Sequence, residues 1–113
     1  MKPEITYDDF IKIDIRVGQV MRAEAFPEAH NPSLKLWIDF GDEIGVKQTS
    51  AQITGNYKSQ FMMGKQVLAV VNFPPRQIAN FMSEVLVLGV PDAEGEVMLV
   101  KPEDYAPLGN QLY

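Results

Sequence analysis

The sequence predicts an all-β domain: a five-stranded Greek-key barrel of the OB type, with short helices and extra C-terminal strands. Three observations lead there. Three strand-like segments come first in the chain, a short helical stretch follows just before Gly64, and further strands complete it. This is the element order of an OB barrel, whose helix lies between the third and fourth strands. Strand pattern alone also fits an SH3-like barrel, and the helix before Gly64 decides between them. A length of 113 residues with 46% hydrophobic side chains suits one domain, spanning 1–113, with a real core.

The elements follow in order. Thr6-x-x-Asp9 resembles a capping box and predicts a helix of one or two turns around Tyr7–Ile11. Ile13, Ile15 and Val17 alternate with Asp14 and Arg16, which is strand periodicity. The phase shifts after Gly18, so a bulge or bend is expected there, letting one long strand serve two sides of a small barrel. Phe26-Pro27 and Asn31-Pro32 mark a loop. Leu34, Leu36, Ile38 and Phe40 then alternate with Lys35, Trp37 and Asp39, the cleanest strand of the chain. Gly41-Asp42-Glu43 reads as a turn, and Val46–Ile53 as a largely polar strand. Asn56–Phe61 is expected to form a short helix. Gln66–Val71 and Val85–Val90 read as buried strands, separated by Phe73-Pro74-Pro75. Val97–Val100 is a further strand, and Pro102–Tyr105 reads as one helical turn.

Composition limits the chemistry. There is no cysteine, so disulfides, thiolate nucleophiles and cysteine-bound zinc are excluded, and a reducing compartment fits. The first ten residues carry Lys2, Glu4, Asp8 and Asp9, so no secretory h-region begins there. The longest apolar runs, Val67–Val71 and Val85–Val90, are far below the roughly 20 residues of a membrane-spanning helix. The expectation is a cytoplasmic protein without membrane insertion. His30 stands alone, and no nucleophile, base and oxyanion site assembles. We therefore expect no catalytic residues, no metal site, no cofactor and no enzyme activity.

Net charge is −5, which by itself argues against general nucleic-acid binding. Its distribution is uneven. From Ile44 to Ser83 there is no acid, although the chain has 15, and that span holds Lys47, Lys58, Lys65 and Arg76. Buried strands and a polar helix could account for it; a locally positive binding face is the sharper reading.

Asp9-Phe10-x-Lys12-x-Asp14-x-Arg16-Val17-Gly18 resembles the opening signature of tRNA-binding domains. Lys47-x-x-Ser50-Ala51-Gln52-Ile53, Val70–Ala79 and Phe81–Gly89 resemble a narrower branch of that superfamily, the CsaA-type export chaperones. The resemblance runs from about Ile5 to Tyr113. It implies a homodimer without a cofactor that binds unfolded or precursor polypeptides in connection with the protein-export machinery. tRNA is the alternative partner. Two tRNA-contact features are altered: Asn31-Pro32-Ser33-Leu34 lacks the expected lysine, and Ser50-Ala51-Gln52-Ile53 replaces Val-Ser-Gly-Ile. Lys47, Asn72, Arg76 and Ser83 remain at motif positions.

The candidate peptide- or tRNA-binding residues are Lys47, Gln48, Ser50, Gln52, Asn72, Phe73, Arg76, Gln77 and Ser83. Arg76 follows Pro74-Pro75, whose fixed φ angles stiffen the loop that presents it. Asn72 and Gln77 offer donor and acceptor together, suited to main-chain amides or base edges; Asn72 could equally satisfy its own turn. Gln48, Ser50 and Gln52 alternate along the third strand and share one face. Phe73, Met62, Met63 and Met82 are candidates for adaptable apolar contact. Phe81 is expected in the core, and Trp37 in an interface or covering position. Dimerisation is expected through Val97–Val100 and Leu108–Tyr113.

Overall fold

The computed structural model describes all 113 residues. A single turn of helix, α1 (Tyr7–Phe10), opens the chain. The capping box is present: the Thr6 hydroxyl accepts from Asp9 N–H, and the Asp9 carboxylate accepts from Thr6 N–H. Nine strands follow: β1 (Ile15–Ala25), β2 (Leu34–Asp39), β3 (Val46–Ala51), β4 (Gln66–Val70), β5 (Arg76–Ile78), β6 (Phe81–Ser83), β7 (Leu86–Val87), β8 (Gly89–Pro91) and β9 (Val97–Leu99). Five of them form one antiparallel sheet in the order β3-β2-β1-β4-β7. Its two edges approach each other, and the Thr49 hydroxyl of β3 donates to the Val85 carbonyl beside β7 at 2.7 Å. The sheet thereby curls into a nearly closed five-stranded barrel, the expected OB-like all-β fold.

β1 is long enough to serve two neighbours. Its first half, Ile15–Gln19, pairs with β4, and its second half, Gln19–Ala25, pairs with β2. The register shift falls between Val20 and Arg22, three residues beyond the glycine expected to mark it. Gly18 has a different physical reason. A methyl group there would lie 2.4 Å from Ile38 Cγ2 and 2.6 Å from the Phe40 ring. The β1 backbone is packed directly under those two side chains.

Alternation decides the core. Leu34, Leu36, Ile38 and Phe40 point inward with Val20, Ala51, Ile53, Met62, Val67, Ala69 and Val85. A second cluster lies on the other side of β1 and β4: Ile15, Val17, Leu68 and Val70, covered by Leu88, Val100, Ala106 and Leu112. β4 is therefore buried on both faces, which is why it reads as an unbroken apolar run. The C-terminal segment holds its place through Val17 N–H to Asn110 O (3.0 Å), Gly109 N–H to Val17 O (2.8 Å) and Leu112 N–H to Ile15 O (2.9 Å).

Several local expectations change. The helix expected over Asn56–Phe61 shrinks to a 3-10 turn at Ser59–Phe61. Pro102–Tyr105 forms bends, not a helical turn. Val85–Val90 is not one buried strand: it splits into β7 and β8, and Leu86 and Val90 are exposed. Leu88 sits at the break, donating to Leu68 O and accepting from Val100 N–H, so the chain changes partner from β4 to β9. Val97–Val100 is not an open apolar edge either, because Val97, Leu99 and Val100 pack onto the two clusters.

Asp92 organises the turn between β8 and β9. Its carboxylate accepts from Asn56 Nδ2 and from the Glu96 and Glu94 N–H groups, each at 2.9 Å. These donors, Asn56 foremost, hold its pKa below the ordinary aspartate value. A carboxyl whose folded value is depressed contributes stability present above its unfolded value and lost as pH falls through the folded one. An NMR titration of Asp92 should therefore give a midpoint below ordinary aspartate. Amide protection at Glu94 and Glu96 should fade as pH drops from the ordinary value through that midpoint. An Asp92 midpoint at the ordinary value would contradict this account of the turn.

Candidate functional site

β5 and β6 form a hairpin that the Pro74-Pro75 reading placed in a loop. Ala79 and Asn80 make its turn, with Ala79 at φ 53°. Alanine is a poor turn signal at a left-handed position, so the pair gave no hint of a hairpin. The hairpin lies over the outer face of β2 and β3. Phe81 pins it there: buried, it meets Trp37 edge-on with ring centres 5.9 Å apart and Phe26 at 5.5 Å. Lys35 Nζ lies 4.8 Å from the Phe26 ring centre and 5.2 Å from that of Phe81, and the Arg22 guanidinium lies 4.6 Å from that of Trp37. Phe81 is thus buried as expected, but outside the barrel, and Trp37 is a covering residue.

Polar groups of β3 finish the attachment. Gln48 Nε2 donates to Met82 O at 2.9 Å, and Gln48 N–H donates to the Glu84 carboxylate at 2.9 Å. Ser83 Oγ accepts from Ser50 N–H and lies 3.0 Å from the Thr49 hydroxyl. Asn72 accepts from Asp14 N–H at 3.0 Å and donates to Lys12 O at 2.8 Å, which clamps the entry to β1 against the exit from β4. Gln77 donates to Ala79 O within the hairpin turn. Four of the nine candidate side chains, Gln48, Asn72, Gln77 and Ser83, are therefore committed to holding the fold.

Beside the hairpin runs an open groove of about 820 Å³. Its walls come from the end of β3, the start of the hairpin, β7 and the β8–β9 hairpin, with the loop before β2 at one end. Of the candidates, Ser50, Gln52, Phe73, Arg76 and Ser83 line it; Lys47, Gln48, Asn72 and Gln77 do not. Phe73 is 52% exposed, and Arg76 is exposed with no salt bridge. Met63 and Met82 are exposed and Met62 is wholly buried in the barrel, so only two of these three methionines are at the surface. Residues not read as candidates also contribute, among them His30, Ile78, Glu84 and Leu86. Exposed apolar residues of β7 could have been found only by knowing that this strand lies at an edge.

The acid-free span does not gather on one face. Lys65 belongs to a separate cleft of about 220 Å³ with Lys101, Glu103 and Asp104, and only Arg76 of its four cations reaches the large groove. The Asp14-x-Arg16-Val17-Gly18 signature is likewise structural. The Arg16 guanidinium donates to the Asp14 carboxylate at 2.6 and 3.3 Å and to Gly109 O at 3.0 Å, tying β1 to the C-terminal segment. No group of three or more His, Asp or Glu side chains converges to hold a metal ion. No helix is long and apolar enough to cross a membrane.

Comparison with known proteins bears on the same residues. The model of the putative tRNA binding domain family matches residues 15–111. Among solved structures, the chaperone CsaA of Bacillus anthracis superposes with a TM-score of 0.90 at 48% identity, over 98% of this chain and 100% of that one. The CsaA chaperone protein of Picrophilus torridus gives 0.90 at 54% identity, over 97% and 100%. The methionine–tRNA ligase of Porphyromonas gingivalis is 34% identical over 109 residues, which are 96% of this chain and 16% of the ligase. That of Chlorobium limicola is 40% identical over 101 residues, 89% of this chain and 14% of the ligase. The chain thus spans about one-sixth of the length of these ligases.

Proposed function

Because the chain belongs to the tRNA-binding-domain family, we propose that it is a non-catalytic binding domain: a homodimeric, cytoplasmic, export-related chaperone for unfolded or precursor polypeptides. The observation that carries this reading is the open groove, which joins apolar walls and the exposed Phe73 to an unpaired Arg76. Mixed apolar and hydrogen-bonding lining suits extended chain of many sequences. Likeness to the two chaperone structures over their full length supports it. The export role and the location rest on the resemblance read in the sequence.

The homodimer draws support from a second surface. Tyr7, Phe10, Ile11 and Ile13 of the N-terminal segment lie beside Leu112 and Tyr113 of the C-terminal one. Most of these side chains are exposed, and an exposed apolar cluster of this kind suits a contact between two copies. tRNA binding is the second reading, favoured by the family model and the ligase relatives. Two cations of β1 and β2, Arg22 and Lys35, already lie on aromatic rings.

Calorimetric titration with unfolded peptides separates the readings. Peptide affinity should fall about tenfold in the Phe73→Ala, Arg76→Ala double variant, the loss of roughly 1.4 kcal/mol, with an unchanged melting temperature. Any tRNA affinity should drop steeply toward physiological salt, since it depends on counterion release. Equal peptide binding by the double variant would misplace the site. tRNA binding that survives physiological salt, with no peptide bound, would replace the chaperone reading.

A further inference from the structure

The outer edge of β3 is filled only in part by the chain itself. Along β3, every second residue turns its N–H and C=O away from β2, toward the groove side. Gln48 is the first such rung: its N–H donates to the Glu84 carboxylate, and its C=O accepts from Glu84 N–H at 2.8 Å. Ser50 is the second: its N–H donates to Ser83 Oγ, but its C=O has near it only the neighbouring Thr49 hydroxyl at 3.3 Å, whose proton goes to the closer Val85 O. Gln52 continues the alternation, exposed between the buried Ala51 and Ile53. Neither its N–H nor its C=O has a partner in the chain. The edge thus passes from satisfied to open as it enters the groove. Segment Ser83–Glu84 already acts there as a partial added strand, and it stops one rung short.

On the hairpin side of the same groove stands Arg76. It makes no salt bridge and is the one lysine or arginine that lines the groove; Glu84, also without a salt bridge, has a carboxylate oxygen turned to Gln48 N–H. An open strand edge recognises main chain, and pockets for alternate side chains supply selectivity. An unpaired guanidinium recognises a carboxylate in fork geometry.

We propose that an extended polypeptide segment adds to β3 as a further strand at Ser50–Gln52, with a carboxylate of that segment reaching Arg76. This rests on the polypeptide reading of the groove and specifies how the client is held. The hydrogen bonds come from backbone, so many sequences fit; the carboxylate sets the preference among them. It is either an acidic side chain or the client's C-terminus.

The test is an N-methyl scan of a short, partly apolar peptide carrying one Asp and an amidated end, titrated against the full chain. Strand pairing predicts a period of two: methylation at alternate residues weakens binding about tenfold, and methylation between them does not. Gln52→Pro, which deletes the N–H, should weaken binding comparably and by more than Gln52→Ala, which keeps it; if the proline variant fails to fold, the scan on the wild-type protein decides. Replacing the peptide's Asp by Ala should weaken binding to the wild type but not to Arg76→Ala. A peptide with a free C-terminus and no Asp tests the other carboxylate source. If the peptide binds but methylation has no periodic effect, strand addition is overturned and the groove reading survives. If neither carboxylate matters, the role of Arg76 is overturned. If the unmodified peptide does not bind at all, the polypeptide reading fails, and this inference with it.

Discussion

Replacing Gly18 with alanine is expected to destabilise the domain by about 2–3 kcal/mol, the upper part of the usual range for overpacking. The added methyl would lie 2.4 Å from Ile38 Cγ2 and 2.6 and 2.9 Å from Phe40 ring carbons. Both side chains are 0% exposed within the barrel core. Interiors at crystal-like density pass such a displacement on to their neighbours. Gly45 supplies the comparison. It has φ +79° and nothing within 4 Å of an added methyl, so alanine there is strained by backbone conformation alone, about 1–2 kcal/mol. Urea unfolding of the two variants separates steric from conformational cost. A Gly18→Ala unfolding free energy within about 0.5 kcal/mol of wild type, an ordinary surface value, would refute the close packing of β1 beneath Phe40.

Arg16→Met should cost a similar 2–3 kcal/mol, the scale of hydrogen bonds to charged groups, and should loosen one end of the molecule selectively. The Arg16 side chain is only 14% exposed; its contacts to Asp14, and then to Glu43, pull its pKa upward, and it also donates to Gly109 O. Methionine keeps most of the apolar stem and removes all of these bonds. The Gly109 carbonyl then loses its donor, and the strand-like bonds at Asn110 and Leu112 lose their anchor. Hydrogen exchange should quicken at Gly109 and Leu112 before it does in β2 or β4. The patch that includes Leu112 and Tyr113 should be disturbed too, lowering the dimer fraction in light scattering if the dimer forms there. Arg16→Lys should recover charge but not the two-pronged contact with Asp14. Unchanged stability and exchange in Arg16→Met would show that the C-terminal segment is held without this arginine.

Residues whose environment is set by their own strand were legible early. The inward parity of Leu34, Leu36, Ile38 and Phe40 needs only period-two alternation, and it came out as expected. The capping box at Thr6 and Asp9 involves partners three residues apart and was equally readable. The doubly buried β4 announced itself by its apolar run. The β5–β6 hairpin was not visible, because its turn is Ala79-Asn80 and its stability comes from Phe81 meeting Phe26 and Trp37, far away in sequence.

The candidate site divides along the same line. Chemistry-bearing residue types in Val70–Ala79 and Lys47–Ile53 could be picked out, and five of the nine do reach one groove. Which of them are free could not be picked out. An asparagine that clamps two strands and an asparagine that awaits a ligand have the same letter; Asn72 is the first kind only because Asp14 N–H and Lys12 O lie within reach. The lysines of the acid-free span looked like one face, but a barrel turns successive strands to different sides, and Lys65 and Arg76 ended in separate clefts. By itself, then, the sequence determined the all-β architecture, the barrel-facing residues of its regular strands and the family resemblance, since alternation and short motifs are local. The tertiary structure alone decided which polar groups are spent on the fold and which stay open, Arg76 and the Gln52 backbone among them. Hydrogen-bond satisfaction is a property of pairs brought together in space, and no single residue carries it.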